Sequence, residues 1–541
     1  MTDRQLFGLF LLFWIAQSII TALNTELYFD EAYYWMYSQF LAWGYFDHPP
    51  VVAVIIWLGS FLGKNELAVR LVNVLMMAGI LSIIYYVVKP KNTLVFCLTL
   101  FSFLTFHLSG FVTLPDTPFL FFALVFMLAY RTFLQDTSWY SWVALGAAAA
   151  LMLYSKYHGV LVILFVILSN IRLLANARFY LAGLVGVIVF LPHIWWQVSH
   201  DFPSLQYHLI DRGSSYKLSQ TLDYVFGNVP YHGGLVSIAL LIASFGYRAT
   251  NYWERALKWN LYGTFIFFFL ITFRGQYIEP NWTIFCIIPL LYLGYRRVEE
   301  VRWFRTYRVL AAVFAGILLL IKVHLNYPLV DIKKDRVWDF HLSRNFARTV
   351  EQLAGDDTIV ANDYKVASLL NFYAGQDYYI PALNIEGRAN QYSIWQLDTM
   401  LCNKDIAFVN QHLSGTAVEG RMHRTENVTK LEQVTSLNLL SIQDATLAID
   451  QQTATVTLSV VSSSDQPCEY HDTLSLEFTL LHSGTPVLTH QEPLATTVMP
   501  IPTQTYQIPI TDGQPVDKVL IRAVSTKLGG GNNQYVTLSV D

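Results

Sequence analysis

A polytopic α-helical membrane bundle followed by an α/β unit and a β-sandwich is the architecture this sequence predicts, on three observations. Of its 541 residues, 54% are hydrophobic and only 14% are charged, against about 25% charge in an average soluble domain. The charge deficit falls in the first 325 residues, where one apolar block follows another. Beyond them the chain turns polar, first with mixed helix and strand patterns and then with alternating Thr/Val/Ser runs.

A hydrocarbon core of about 30 Å needs roughly 20 apolar residues per helix. That rule marks about eleven spans, near 6–24, 67–88, 93–112, 117–134, 139–155, 158–173, 178–197, 231–247, 257–273, 281–295 and 307–325. The run from Leu6 to Asn24 lacks an Ala-x-Ala cleavage site, so it is expected to stay as an uncleaved first span. Basic residues cluster in alternate loops: Lys89/Lys91, Arg131, Arg172/Arg178, Arg248/Arg255/Lys258 and the run from Arg296 to Arg308. Such loops stay cytoplasmic. The N-terminus is therefore expected inside and everything after about Asn326 outside.

The expected domains are 1–325 in the membrane, 326–430 as an α/β unit and 431–541 as a β-sandwich. In the second, an amphipathic pattern from Val337 to Leu353 accompanies the strand-like runs Thr358-Ile-Val-Ala and Asp405-Ile-Ala-Phe-Val. In the third, Thr453-Ala-Thr-Val-Thr-Leu-Ser-Val and Leu474-Ser-Leu-Glu-Phe-Thr-Leu-Leu alternate between turn signals, as antiparallel strands do. Lys527-Leu-Gly-Gly-Gly-Asn-Asn is a turn and not a phosphate loop, since no Gly-Lys-Ser/Thr follows. Cys97 and Cys286 lie in apolar blocks and read as small core residues. Cys402 and Cys468 lie in the polar tail, where export permits a bridge that spacing alone does not fix. A net charge of −4 offers no basic field to nucleic acid.

Just past the first span the chain reads Tyr28-Phe-Asp-Glu-Ala-Tyr-Tyr-Trp and then Gly44-Tyr-Phe-Asp-His-Pro-Pro. The adjacent carboxylates Asp30 and Glu31 admit two readings. One is a solvated interfacial acidic pair among belt aromatics. The other is a general base that deprotonates an acceptor hydroxyl for attack on an activated anomeric carbon. Tyr33, Tyr34 and Trp35 read either as belt residues or as a platform for a sugar. Pro49-Pro50 fixes the chain direction entering the next element.

These two segments resemble the first-loop signature of the bacterial protein-mannosyltransferase-like (PMT-type) glycosyltransferases, a group that includes the aminoarabinose transferases acting on lipid A. Further matches follow in order. Thr113-Leu-Pro-Asp-Thr-Pro is similar to the second-loop acidic motif, and Ser155-Lys-Tyr-His-Gly to the lysine motif between two later spans. Leu191-Pro-His-Ile-Trp-Trp-Gln, with His200-Asp-Phe-Pro-Ser and Arg212, resembles a long external loop. Pro280-Asn-Trp resembles a short loop before a late span; Asp363-Tyr, Gly387-Arg and Gln391-Tyr-Ser-Ile-Trp are similar to family sequences in the tail. The resemblance covers about Leu6 to Trp395, and the sandwich lies outside it.

The resemblance implies a GT-C-like bundle in the bacterial cytoplasmic (inner) membrane, with catalysis at its external loops. The donor is then a sugar on polyprenyl phosphate, undecaprenyl phosphate in a bacterium, and that lipid phosphate is the leaving group. The acceptor is lipid A, protein or an envelope glycan. Asp30 is the expected base, and Glu31 either shares its role or orients Asp30 or the sugar. Asp116 holds the acceptor or donor sugar, or is a carboxylate at a helix start where the dipole favours it. A departing phosphate needs positive charge, and Lys156 matches a family lysine near it; the competing reading is a snorkelling interfacial lysine. His158, Arg212 and Arg274 join Lys156 as donor contacts, the arginines alternatively pairing with Asp211, Glu279 or lipid headgroups. His48 stands where the aminoarabinose transferases carry lysine, and an imidazole is charged only below its pKa.

His107, His158, His193, His200, His208 and His232 form no ligand pair with a third ligand on one element, and no Asp-x-Asp motif occurs. Neither a divalent metal nor another cofactor is expected. Two other classes stand beside the transferase: a transporter or flippase of lipid-linked sugars, and an envelope assembly protein without catalysis. Related halves mark many transporters, and the sequence has none.

Overall fold

The computed structural model describes residues 1–541 other than 208–214, 331–338, 420–423, 451, 463–467, 469, 495–498, 511–514, 533–534 and 540–541. It forms two compact units, Met1–Ile332 and Lys333–Asp541.

The first unit is helical. α1 (Asp3–Asn24) opens on a capping box in which Thr2 Oγ1 accepts from Gln5 N and Gln5 Oε1 accepts from Thr2 N, satisfying two donors that a helix start leaves orphaned. The stretch expected as one external loop contains two helices, α2 (Phe29–Gln39) and α3 (Val51–Gly59). Pro50 directly precedes α3, where its fixed φ suits a helix start. α4 (Glu66–Val88) follows, capped by Asn65. α5 (Thr93–Phe101) and α6 (Leu104–Phe111) meet at 66°. Next come α7 (Asp116–Gln135), α8 (Trp139–Ser155), α9 (Gly159–Ser169), α10 (Ala177–Ser199) and the single turn α11 (Pro203–Gln206).

α12 (Leu218–Tyr231) and α13 (Leu235–Phe245) meet at 97°. Gly233 and Gly234 make that corner, with φ of +105° and +60°, values that L side chains avoid. α14 (Tyr252–Thr272) leads into the stretch expected as a span at 281–295. There the chain is a 3₁₀ helix (Pro280–Cys286), α15 (Ile287–Pro289), a π-helical turn (Leu290–Tyr295) and α16 (Arg296–Val298). α17 (Phe304–Asn326) ends the unit.

Among the described residues, α1, α4, α7, α10 and α17 are long and apolar enough to cross a bilayer, and counting each bent pair as one span gives up to seven. The expected span at 158–173 holds the shorter apolar helix α9. Trp14, Met77, Phe96 and Tyr295 sit in the packed centre of this bundle. Small residues let helices close in: a Cβ on Gly146 of α8 would fall 2.9 Å from Val185 of α10.

In the second unit, α18 (Ser343–Ala354) precedes β1 (Thr358–Ala361), α19 (Tyr364–Tyr373) and α20 (Gln391–Trp395). The helical pattern expected from Val337 begins at Ser343, and 337–338 lie outside the described residues. β2 (Lys404–Asn410), β3 (Thr416–Glu419) and β4 (Thr425–Val434) complete a sheet in the order β1-β2-β4-β3, with β1 and β2 parallel. Two antiparallel sheets follow. One is β5 (Leu440–Ile449), β6 (Thr453–Ser462) and β9 (Ile501–Pro509). The other joins β7 (Leu474–His482), β8 (Thr485–Pro493), β10 (Lys518–Ser525), β11 (Gly530–Gly531) and β12 (Val536–Ser539).

Val360 and Phe408 of the first sheet share one apolar cluster with Val456, Leu476, Phe478 and Ile521 of the other two. Alternating patterns become one-sided faces because successive strand side chains point opposite ways. Cys402 and Cys468 are disulfide-bonded, whereas Cys97 and Cys286 are free and buried.

Candidate functional site

The acidic turn after the first span is built around Glu31. Tyr28 caps α2, and its N–H donates to Glu31 Oε2 at 3.0 Å. Arg70, which α4 carries, donates through Nε to Oε1 (2.8 Å) and through Nη2 to Oε2 (2.6 Å), and Thr113 N donates to Oε1 at 2.9 Å. Both charged side chains are fully buried. Removing a carboxylate from water is costly without such partners, and these four donors occupy the lone-pair sites of Glu31. Arg70 also bonds the carbonyls of Thr25 (2.9 Å) and Glu26 (2.8 Å), tying the end of the first span to α4. Asp30, in the same first turn, is half-buried.

The segment Gly44 to Pro50 folds back onto α2. Asp47, buried, accepts from Tyr33 Oη at 2.8 Å and Tyr37 Oη at 3.4 Å. The Tyr45 ring stacks on Tyr37 at 4.0 Å, and its hydroxyl donates to Tyr37 O at 2.9 Å. His48 is half-buried, its ring edge-on to Tyr34 at 5.5 Å. Tyr33 and Tyr34 are thus packed inside rather than lying in an exposed belt, and Lys64 Nζ lies 5.4 Å from the Trp35 ring.

A second ion pair lies beyond Thr113. Asp116, at the start of α7, accepts from Lys156 Nζ at 2.8 Å, with both side chains almost wholly buried. Its other oxygen accepts from Asn281 Nδ2 at 3.2 Å. Lys156 sits at the end of α8, where the chain turns into α9. Trp282, next to Asn281, packs on the His158 ring at 5.0 Å. Pro280-Asn-Trp therefore touches both Asp116 and the residue two places after Lys156. Through Thr113, the Asp116 turn is also joined to Glu31 and hence to the turn that carries Asp30.

Leu191 to Gln197 belongs to the last turns of α10 rather than to a loop. His193 Nδ1 donates to Trp43 O at 2.7 Å, which leaves Nε2 facing Tyr157 Oη at 3.0 Å. Gln197 Nε2 donates to Tyr157 Oη (3.0 Å) and Ser204 Oγ (2.8 Å), and Ser204 Oγ donates to Tyr45 O at 3.1 Å. α10 thereby grips both the first-loop segment and the lysine motif.

The structure thus brings Glu31, Asp116, Lys156 and His158 into one connected network and places Asp30 and His48 on its first-loop elements. Arg274 is exposed after α14 and makes no described side-chain contact with that network. Arg212 lies outside the described residues. Two residues not named among the expected site residues are structurally central: Arg70, outside the motifs, and Asp47, inside the first-loop motif. An arginine inside an apolar span was the available signal for the first, since charge at membrane depth is retained for a reason.

Residues 47–196 match the family described as dolichyl-phosphate-mannose-protein mannosyltransferase. Over 203 residues the chain is 28% identical to lipid A galacturonosyltransferase RgtD of Rhizobium johnstonii, a match spanning 33% of this chain and 40% of that protein. ArnT of Cupriavidus metallidurans in the apo state superposes with a TM-score of 0.57 at 13% identity, covering 79% of this chain and 98% of that one. The same protein bound to undecaprenyl phosphate gives 0.54, again at 13% identity with 79% and 98% coverage. The ArnT likeness extends to the fold alone. The family match falls on the segment that carries Asp47, Asp116, Lys156 and His193, and over that segment this multi-pass membrane chain is similar to the PMT-type glycosyltransferases.

Proposed function

We propose that the chain transfers a sugar from a polyprenyl-phosphate carrier, undecaprenyl phosphate in a bacterium, to an extracytoplasmic lipid, protein or glycan. The observation that carries this reading is the buried Lys156–Asp116 pair, joined through Thr113 and Glu31 to the turn bearing Asp30. Asp30 takes the proton of the acceptor hydroxyl. As its oxygen bonds to the anomeric carbon, the bond from that carbon to the phosphate oxygen breaks and the lipid phosphate leaves. The family match and the undecaprenyl phosphate bound to ArnT support the donor class.

Lys156 meets the charge developing on the leaving phosphate. Asp116 holds the ammonium in place in a low-dielectric site, where such a preset charge acts most strongly. Of the three Nζ donors, one has a described partner. His158, His48, Arg274 and Arg212 are further donor contacts in this reading. Glu31 orients the turn and is not itself a base, because its acceptor sites are filled.

An apolar cavity of about 210 Å³ lies between α7, α8, α9 and α10, lined by Ala149, Ala150 and Leu153 of α8 and by Gly183 and Gly186 of α10. α8 runs from this wall directly to Lys156, so a prenyl chain seated there delivers its phosphate to the lysine. The same reading counts about eleven crossings, places the N-terminus in the cytoplasm of a bacterial inner membrane, and treats 326–430 and 431–541 as external α/β and β-sandwich domains. The Cys402–Cys468 bridge accords with an oxidising compartment.

The test is sugar release from a panel of polyprenyl-phosphate sugars by purified protein, with Asp30→Asn alongside. Turnover of one donor that disappears in the variant is the expected result. No turnover of any donor, with or without acceptors and divalent metal, overturns the proposal.

A further inference from the structure

The second unit contains a polar cleft of about 340 Å³ that the transferase reading leaves without a task. Its position follows from the topology. β1 ends at Ala361 and β2 at Asn410, while Ala382 bridges in parallel to Ala361. From these three ends the chain diverges: into α19, into the turn at 384–388, and into the stretch after Asn410. Divergence at the carboxyl ends of parallel strands leaves a crevice in which ligands bind.

The cleft has a buried polar floor and a charged rim, where Lys365 and Arg388 stand beside Asp363 and Glu386. Asn384, Asn410 and Glu426 line it and are 4%, 1% and 3% exposed. Asn390 Nδ2 donates to Asn384 Oδ1 at 2.7 Å, and Gln411 Nε2 donates to Glu426 Oε1 at 2.8 Å. At the rim, Arg388 lies 5.2 Å from the Tyr364 ring and donates to its hydroxyl at 3.0 Å, a contact that fixes the guanidinium.

The wall is held from behind. Asn384 and Glu386 have φ of +52° and +53°, a conformation that costs energy in non-glycine residues and persists where surroundings enforce it, often at ligand clamps. Arg522 Nη2 supplies the enforcement, reaching Glu386 Oε1 at 2.8 Å and Oε2 at 3.0 Å, and Gly531 N donates to Oε1 at 2.9 Å.

We propose that this cleft binds one or two sugar units of a glycan. Its volume sits at the low end of ligand pockets, about 300–1,000 Å³. Asn384 and Glu426 set a carboxamide and a carboxylate in the floor, a donor and an acceptor of the kind vicinal hydroxyls pair with, while Asn410 shapes it, its amide bonded to Phe408 O, Thr429 Oγ1, His412 N and Leu413 N. An apolar ligand would displace water from these groups and return no hydrogen bonds, a loss that each buried polar group feels. The fixed Arg388 and the nearby Lys365 donate to ring and hydroxyl oxygens at the rim. The site binds glycan whether or not the chain transfers sugar.

The test is saturation-transfer NMR and calorimetry on the full chain in detergent, with maltotriose, cellotriose, chitotriose and delipidated lipopolysaccharide core oligosaccharide as probes. The expected result is saturable binding of at least one probe, weakened tenfold or more by Arg388→Ala and by Glu426→Gln, and retained in Asp30→Asn. Arg388 is exposed, so its variant decides the matter even if Glu426→Gln fails to fold. No binding of any probe by the wild-type chain, or equal affinity in a folded variant, overturns the proposal. Glycan binding by a chain that turns over no donor leaves the cleft standing and the transferase reading fallen; turnover without glycan binding does the reverse.

Discussion

Arg70 grips Glu31 through two hydrogen bonds, of 2.8 and 2.6 Å, with neither side chain exposed. The arginine comes from α4 and the glutamate from α2, and between them they gather the carbonyls of Thr25 and Glu26 and the N–H of Thr113. This ion pair sets the segment after the first span on the bundle and gives the acidic turn its fixed position. It also divides the labour of the Asp30-Glu31 dipeptide, one carboxylate structural and the other half-accessible.

Breaking a buried pair on one side leaves an uncompensated charge, which costs about 3–5 kcal/mol. Arg70→Ala is expected to lose stability on that scale, measured by thermal unfolding in detergent. Arg70→Lys recovers only part of it, because an ammonium cannot make the two-point contact. Glu31→Gln should lower donor turnover only as far as it lowers the folded fraction. A folded Glu31→Gln protein with turnover gone would make Glu31 a catalytic residue.

The Asp116–Lys156 pair predicts non-additivity. Lys156→Met and Asp116→Asn each strand the other partner, so each should destabilise the bundle, while the double variant should be more stable than the additive expectation. Turnover behaves differently. It should fall by about 10²–10³ when the lysine is removed and stay low in the double variant. Thermal melts beside sugar-release assays separate the two effects, and restored turnover in the double variant would remove Lys156 from the chemistry.

Gly44 lies where α10 presses on the segment between α2 and α3. A Cβ there would come within 2.7 Å of Trp196 Cδ2 and 2.9 Å of His193 Nδ1. Gly44→Ala should therefore displace the His193–Trp43 hydrogen bond and cost about 1–3 kcal/mol, as overpacking does. Unfolding measurements on Gly44→Ala beside Gly8→Ala, a position inside α1 where a Cβ meets nothing within 4 Å, check this, with only the former expected to lose stability.

Burial raises the Asp398 carboxyl above its usual value, against the opposing donors Ser436 and Asn438. The native state therefore holds the proton more tightly than the unfolded chain does. The sign follows from linkage: this contribution to stability is fully present below the unfolded value of about 3.9 and is lost as pH rises through the raised native value. Asp398→Asn, which cannot ionise, should flatten that decline. Melting of the second unit between pH 4 and pH 7 in both proteins is the measurement, and parallel pH profiles would contradict it.

Much of this protein was legible without a structure. Apolar blocks announce helices in lipid because a bilayer offers the backbone no alternative partner. The strand-like runs at Thr358, Asp405, Thr453 and Leu474 became β1, β2, β6 and β7 because period-two alternation can bury only one face. The ordered motifs likewise announced Asp30, Asp116, Lys156 and Pro280-Asn-Trp as a set.

Partnership was decided only in three dimensions. That Glu31 is held and Asp30 is half-accessible depends on Arg70, 39 residues away. Lys156 meets Asp116 across 40 residues, and Asn281 reaches the same carboxylate across 165. The Cys402–Cys468 bridge and the corner at Gly233-Gly234 were equally invisible to periodicity. Periodicity reports which face of an element avoids water. Which charge answers which is fixed by the low dielectric of the interior, where a carboxylate is stable only beside the donors that folding brings to it.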